Sequence, residues 1–256
     1  MGGPFFHDKL HVPNDIEFKS FTDPVLLNRY NRRMTSFLNR FGRRLGYITI
    51  HAEGADTYFK AHPDQFDDYC QFLLEVREHI QRHSPHIQVG VLAYRVVADD
   101  LLARMGEVTD FMAYDVMKGK LFKRPADFER LVKRLIRLAK GKTIALQNAG
   151  WSTSKTDNGS DEEQVEFIRQ LYRVLYQYRD KIEYAAIGGL YDHDPSVVGP
   201  AFKAQFSHYP EAFVDRIIDS MCHSGLFRND GTPKPGWEEL KRQVSSYYQR
   251  LETKRK

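Results

Sequence analysis

The feature that most constrains this chain is a rhythm. Short, continuously apolar runs alternate with amphipathic stretches along nearly its whole length. "YITIHAE" (47–53), "IQVGVLAY" (87–94), "FMAYDVM" (111–117), "TIALQNAGW" (143–151) and "YAAIGGLYD" (184–192) read as strands. Strands without polar alternation are buried on both faces, which is the condition of a parallel sheet clothed by helices. The intervening stretches carry helical spacing. Thr22 or Asp23 starts the first helix, with Pro24 in its first turn; Leu27, Tyr30, Met34, Phe37 and Phe41 follow on one face, and Gly42 ends it. Phe66, Tyr69, Leu73, Val76 and Ile80 mark a helix from about Asp64 to His83, and "VADDLLARM" a short one. Pro125 opens a helix with Phe128, Leu131, Leu135 and Ala139 inward, closed by Gly141. Ser160 and Glu163 make a capping box for a helix over 161–179. Two more helices are expected near 210–223 and 236–251.

No glycine-rich phosphate loop follows any strand, so a nucleotide-binding doubly wound sheet has little support. The alternation favours an α/β chain of the TIM-type (β/α)8 barrel class, read as one domain over 1–256 with an irregular segment at 1–20. A hydrophobic content of 41% supplies the core. The formal charge of +4, set against 38 basic and 34 acidic residues, implies no strongly basic partner by itself. Cys70 and Cys222 belong to no CxxC pair, which argues against zinc sites and a disulfide framework; Cys70 reads as a core residue. No run is long enough to span a bilayer, and no signal peptide is visible, so the compartment stays open.

In a barrel of this kind the active site sits at the C-terminal ends of the strands. The residues there are His51, Ala52 and Glu53; Tyr94 and Arg95; Tyr114 and Asp115; Gln147, Asn148 and Trp151; Tyr191, Asp192, His193 and Asp194. Aromatic faces stack on the apolar faces of sugar rings, and amides and carboxylates hydrogen-bond hydroxyls. The set therefore points to carbohydrate, although strand ends are also polar simply because they meet solvent.

The order of these motifs resembles the clan of (β/α)8 glycoside hydrolases with catalytic glutamates at the tips of strands four and seven. "YITIHAEGADTYF" is similar to that clan's fourth strand, which commonly ends Gly-Asn-Glu. "DFMAYDV" looks like the sixth, "TIALQNAGWSTS" like a seventh ending Gln-Glu-x-Gly-aromatic, "GLYDHD" like the eighth, and "GLFRNDGTPKPGWEELKRQ" like the closing loop and helix. The likeness runs from about Lys9 onward. It implies a substrate cleft formed by His51, Tyr94, Tyr114, Asp115, Gln147, Trp151, Tyr191 and Asp192, with Glu53 as acid/base and no cofactor or metal.

Two positions depart from the pattern. Asn148 stands where the resemblance implies a nucleophilic glutamate, and an amide is a very poor nucleophile. Ala52 stands where an asparagine would hydrogen-bond the sugar's 2-hydroxyl, an interaction that strengthens in the transition state. Glu53 keeps the acid's place if the strand is aligned without a gap; an ungapped alignment through Asp56 would put Gly54 there instead. A retaining glycosidase needs two carboxylates about 5–5.5 Å apart. The expectation is therefore a carbohydrate-binding barrel with impaired or lost retaining activity. The alternatives are an active glycosidase using Glu53 with a non-standard base such as Asp115 or Asp192, a substrate-assisted route in which Asn148 orients an acetamido group, and a non-catalytic structural module.

The segment resembling strand four begins near residue 47, and only "KLHVP" (9–13) precedes it as a strand candidate. About six strands are thus expected, with the barrel's first two missing. An open barrel exposes two sheet edges and invites self-association. "DHD" (192–194) lacks a second cluster to complete a metal site. The basic run "RLVKRLIRLAKGK" (130–142) reads as a solvated helix face rather than a nucleic-acid surface. Trp237 is expected to anchor the last helix. The partner implied is an oligo- or polysaccharide, with neither nucleic acid nor membrane.

Overall fold

Asp23 caps the first long helix: its carboxylate accepts the Val25 N–H at 2.8 Å, and Pro24 occupies the first helical position, where no N–H is needed. The computed structural model describes residues 5–6, 9–10, 12–52, 55–93, 98–118, 122–207 and 209–253. In chain order its elements are β1 (Phe5–Phe6), β2 (Lys9–Leu10), α1 (Pro24–Phe41), β3 (Tyr47–His51), α2 (Ala55–Ala61), α3 (Phe66–His83), β4 (Gln88–Ala93), α4 (Asp99–Glu107), β5 (Phe111–Met117), α5 (Phe128–Leu138), β6 (Ile144–Gly150), α6 (Asp161–Gln177), β7 (Ile182–Ile187), α7 (Pro195–Gln205), α8 (Glu211–Met221) and α9 (Pro235–Thr253).

Strands β3 to β7 form one parallel five-stranded sheet in sequence order. The candidate strand at 9–13 does not join it: Lys9–Leu10 pairs antiparallel with Phe5–Phe6 in a separate two-stranded hairpin. The expectation of six strands is corrected accordingly to five in the sheet among the described residues.

The chain divides into two compact units, residues 1–115 with 134–145, and 116–133 with 146–256. In the first, register pairs Tyr47 with Gln88, His51 with Leu92, and Ala93 with Tyr114. Side chains alternate across a sheet, so one face carries Ile48, Ile50, Val89, Val91, Ala93, Met112 and Tyr114. This is the helix-packed face, because Met112 Sδ lies 3.5 Å from where a Cβ on Gly106 of α4 would stand. Gly90 is dictated by the other face: an added Cβ would fall 2.5 Å from the Phe111 ring. An aromatic cluster around the fully buried Phe21, which meets Phe18, Tyr58, Phe59, Tyr69 and Phe72, packs beside these elements. Each such buried ring contributes roughly 1.5–3 kcal/mol over an exposed one. Burial also pushes the Cys70 thiol up to about 11, in keeping with an inert core side chain.

In the second unit, Ser160 accepts the Glu163 N–H and starts α6, one half of the expected capping box, while the Glu163 carboxylate takes Trp151 and Lys118 as partners. Phe122, Phe128, Trp151 and Phe167 stack around α6. Phe206, Val214, Ile218 and Cys222 join α7 to α8. Arg169 of α6 pairs with Glu239 of α9, and Trp237 packs its ring 4.9 Å from Phe227, holding the last helix.

Candidate functional site

The strand-end side chains fall into two groups, one in each unit. In the first unit, Ala52 N donates to Leu92 O at 3.0 Å, so the parallel ladder runs one residue past β3. Glu53 follows directly; it and Tyr94 lie outside the described residues. His51 and Asp115 occupy the sheet face turned away from the helices, by the alternation set at Met112. His51 is half-buried, and that burial lowers its pKa from 6.5, favouring a neutral imidazole that can both donate and accept. Asp115 is 3% exposed.

Tyr114 is not with them. It faces the helices, near Asp99 of α4 and Arg134 of α5, is 4% exposed, and burial raises its phenol pKa well above 10.0. The expectation of Tyr114 as a sugar-contacting ring gives way to a core role. The strand was read correctly, but alternation turns neighbouring residues to opposite faces, and only the register shows which is which.

In the second unit, Asn148 lies in β6, two residues before its end. Its Oδ1 is 2.2 Å from where a Cβ on Gly188 would be, so its amide lies across the glycine that follows β7. Met117 Sδ fills the same space, 2.6 Å from a Cβ position on Gly150 and 3.4 Å from that on Gly188. Two glycines thus make room for one amide and one thioether at the strand ends. Gln147 points to the opposite face of β6 and accepts the Tyr184 hydroxyl at 3.1 Å.

Trp151 is 1% exposed. Its ring stacks on Phe167 with centroids 5.6 Å apart, Lys118 Nζ sits 4.9 Å from its centroid, and its Nε1 donates to Glu163 Oε2 at 3.2 Å. A ring so covered offers no platform to a sugar, so the binding role expected for Trp151 is replaced by anchoring. Lys118 also donates to Asn158 O at 2.8 Å and pairs with Glu163 at 3.3 Å, tying the loop after β6 to the start of α6.

Asp192 is likewise committed. Its Oδ1 accepts from Lys234 Nζ at 2.7 Å and from Gly225 N at 2.8 Å. Lys234 has a side chain with no exposure and spends its three protons on Asp192, Thr153 Oγ1 and His223 O. The pair is a structural clasp on the loop after β7, not a substrate contact. Sequence reasoning passed over Lys234, because a lysine between two prolines in "TPKPG" looks like an exposed turn. Tyr191 is 53% exposed, bridges to Phe227, and stands four residues past the end of β7, outside the strand it was expected to finish.

A cleft of about 270 Å³ lies between α6 and α9, lined by residues including Arg169, Tyr172, Tyr176 and Tyr247. Among the described residues, no group of three His, Cys, Asp or Glu has metal-binding proximity, and no helix is long and apolar enough to cross a membrane.

No family model matches the chain. No curated protein matches it either. Solved structures do. A glycoside hydrolase family 10 endoxylanase from a sugarcane soil metagenome superposes with a TM-score of 0.62 at 11% identity, covering 93% of this chain and 74% of that one. The fold is that of the glycoside hydrolase barrels. Xylanase 10B from Thermotoga maritima gives a TM-score of 0.60 at 14% identity over 95% of this chain and 73% of its own. A family 17 β-1,3-glucanosyltransferase from Rhizomucor miehei gives 0.52 at 11% identity, covering 83% of this chain and 71% of that one. The chain contributes five strands to its sheet among the described residues, where a complete (β/α)8 barrel has eight.

Proposed function

We propose that this chain binds oligo- or polysaccharide at the strand ends of a glycoside hydrolase-like barrel and lacks standard retaining glycosidase activity. The observation that carries the reading is Asn148, whose uncharged amide rests on Gly188 near the end of β6. An amide there neither attacks an anomeric carbon nor carries the charge a glycosyl-enzyme intermediate requires. In the second unit the candidate contacts are Asn148 and the exposed Tyr191; in the first they are His51 and Asp115, with Glu53 and Tyr94 proposed from the sequence. Tyr114, Gln147, Trp151 and Asp192 serve packing instead. Glu53 is the candidate acid.

Glycan-array binding together with an oligosaccharide hydrolysis screen tests the reading. Binding without turnover is expected. Asn148→Glu should then raise hydrolysis by orders of magnitude over the native chain, since a nucleophile's removal commonly costs that much. Silence on the array and in the screen would leave only a structural module. A second reading draws on Asp115, which shares a sheet face with His51: an inverting hydrolase with Glu53 as acid and Asp115 as base. Turnover by the native chain that disappears in Glu53→Gln would favour it and defeat the first.

A further inference from the structure

Two helical regions of this chain are strongly basic, and they handle the charge in opposite ways. Around α5, Arg130 pairs with Asp127, Lys133 with Glu129, Arg134 with Asp99, and Lys140 with Glu107. Those four cations are neutralised locally; Arg137, also exposed, has no acidic partner among the described residues. Residues 24–52, by contrast, contain Arg29, Arg32, Arg33, Arg40, Arg43 and Arg44 and not one Asp or Glu. All six arginines are exposed. Arg29 pairs with Asp15. None of the other five has an acidic partner among the described residues; Arg40 instead lies over the Phe41 ring at 5.1 Å.

The placement is ordered. At 3.6 residues per turn, Arg29, Arg32, Arg33 and Arg40 fall, with Ser36, within an arc of about 100° and along about 16 Å of helix. Arg43 and Arg44 extend the row in the 3-10 turn that follows α1. Like charges so arranged repel one another, and only Arg29 has its charge met by an acidic side chain, so an external polyanion would relieve the repulsion. The opposite side of α1, with Leu27, Met34 and Leu38, is buried in the core, so the helix has no apolar face to sink into a bilayer. The cations are arginines throughout, whose planar fork matches carboxylates and phosphates in two parallel hydrogen bonds; the carbohydrate reading above favours the carboxylate. Phe41 and Tyr47, 41% and 39% exposed, flank that turn in the chain.

We infer that α1 and Arg43–Arg44 form a docking face for an acidic polysaccharide, a polymer bearing carboxylates on successive sugars. The inference rests on the carbohydrate-binding reading above and names the charge class of that carbohydrate. Affinity electrophoresis of the full chain through gels containing polygalacturonate or neutral xylan tests it, with anisotropy on a single-stranded oligonucleotide alongside. Polygalacturonate should retard the native chain, and added salt should weaken the effect. The triple variant Arg32→Gln/Arg33→Gln/Arg40→Gln should bind at least about tenfold more weakly with an unchanged thermal midpoint, since all three positions are surface ones. Arg137→Gln in α5 should leave retardation intact. Absence of retardation at low salt, an unaffected triple variant, or tighter binding to the oligonucleotide would each overturn the inference. The strand-end reading fails separately: Asn148→Glu should change hydrolysis and leave retardation by polygalacturonate intact, whereas the α1 triple variant should lose retardation and leave hydrolysis as it is.

Discussion

At the scale of single residues, three places in the chain make distinct demands. Gly188 must lack a Cβ because Asn148 occupies that space. Gly188→Ala should lower stability by roughly 1–3 kcal/mol through overpacking, read as a lower denaturant midpoint, and weaken any strand-end ligand by displacing Asn148. Lys234 and Asp192 form a buried pair, and removing one partner strands the other charge. Lys234→Met should cost about 3–5 kcal/mol in equilibrium unfolding, with part of the loss recovered in Lys234→Met/Asp192→Leu. His51 and His79 are both held below 6.5 chiefly by burial. The unfolded chain therefore binds protons that the folded chain refuses between those lowered values and 6.5. Stability is full above that window and declines as pH falls through it. Thermal midpoints should drop from about pH 7 to about pH 5, and His51→Gln should flatten the drop.

At the scale of elements, local chemistry made most boundaries legible. Asp23 with Pro24 and Ser160 with Glu163 announce their helices by residues whose roles need no tertiary context. Ser160→Ala should cost about 1 kcal/mol, measurable as a shift in denaturant midpoint at constant slope. Three elements were harder to read. In "YAAIGGLYD" the apolar run continues through two glycines, but β7 spans Ile182–Ile187 and ends before them. Helix α7 (PSVVGPAFKAQ) carries Pro200 and Gly199 inside it, which argue against a helix locally. It forms because Asp194 caps Ser196 N, and because Phe202 and Phe206 dock on the cluster with α8. Phe41 has helical spacing for the core face of α1 yet is 41% exposed: it is the last residue of the helix, beyond Leu38, the last buried one.

At the scale of the whole molecule, the chain divides into two compact units, residues 1–115 with 134–145 and 116–133 with 146–256. The sheet order ends at β7, a strand half-buried beyond Ile182, and Leu190, Tyr191 and Val197 near it are 50%, 53% and 71% exposed. Exposed apolar surface beside a terminal strand favours association. Sedimentation velocity should show concentration-dependent self-association, reduced by Leu190→Asp.

The residues alone determined the α/β alternation, the start of most helices, and the presence of an amide where the resemblance places a glutamate. Those features depend on side chains within a few positions of one another, or on one residue's own chemistry. Which strand-end residues face away from the helices was a tertiary decision. Tyr114 and Asp115 are adjacent in the chain and opposite in space, and only the pairing of β4 with β5 and the packing of α4 assign their faces. The same holds for Trp151 and Asp192, whose polar and aromatic surfaces were taken by Lys118, Glu163 and Lys234, partners that sequence distance concealed.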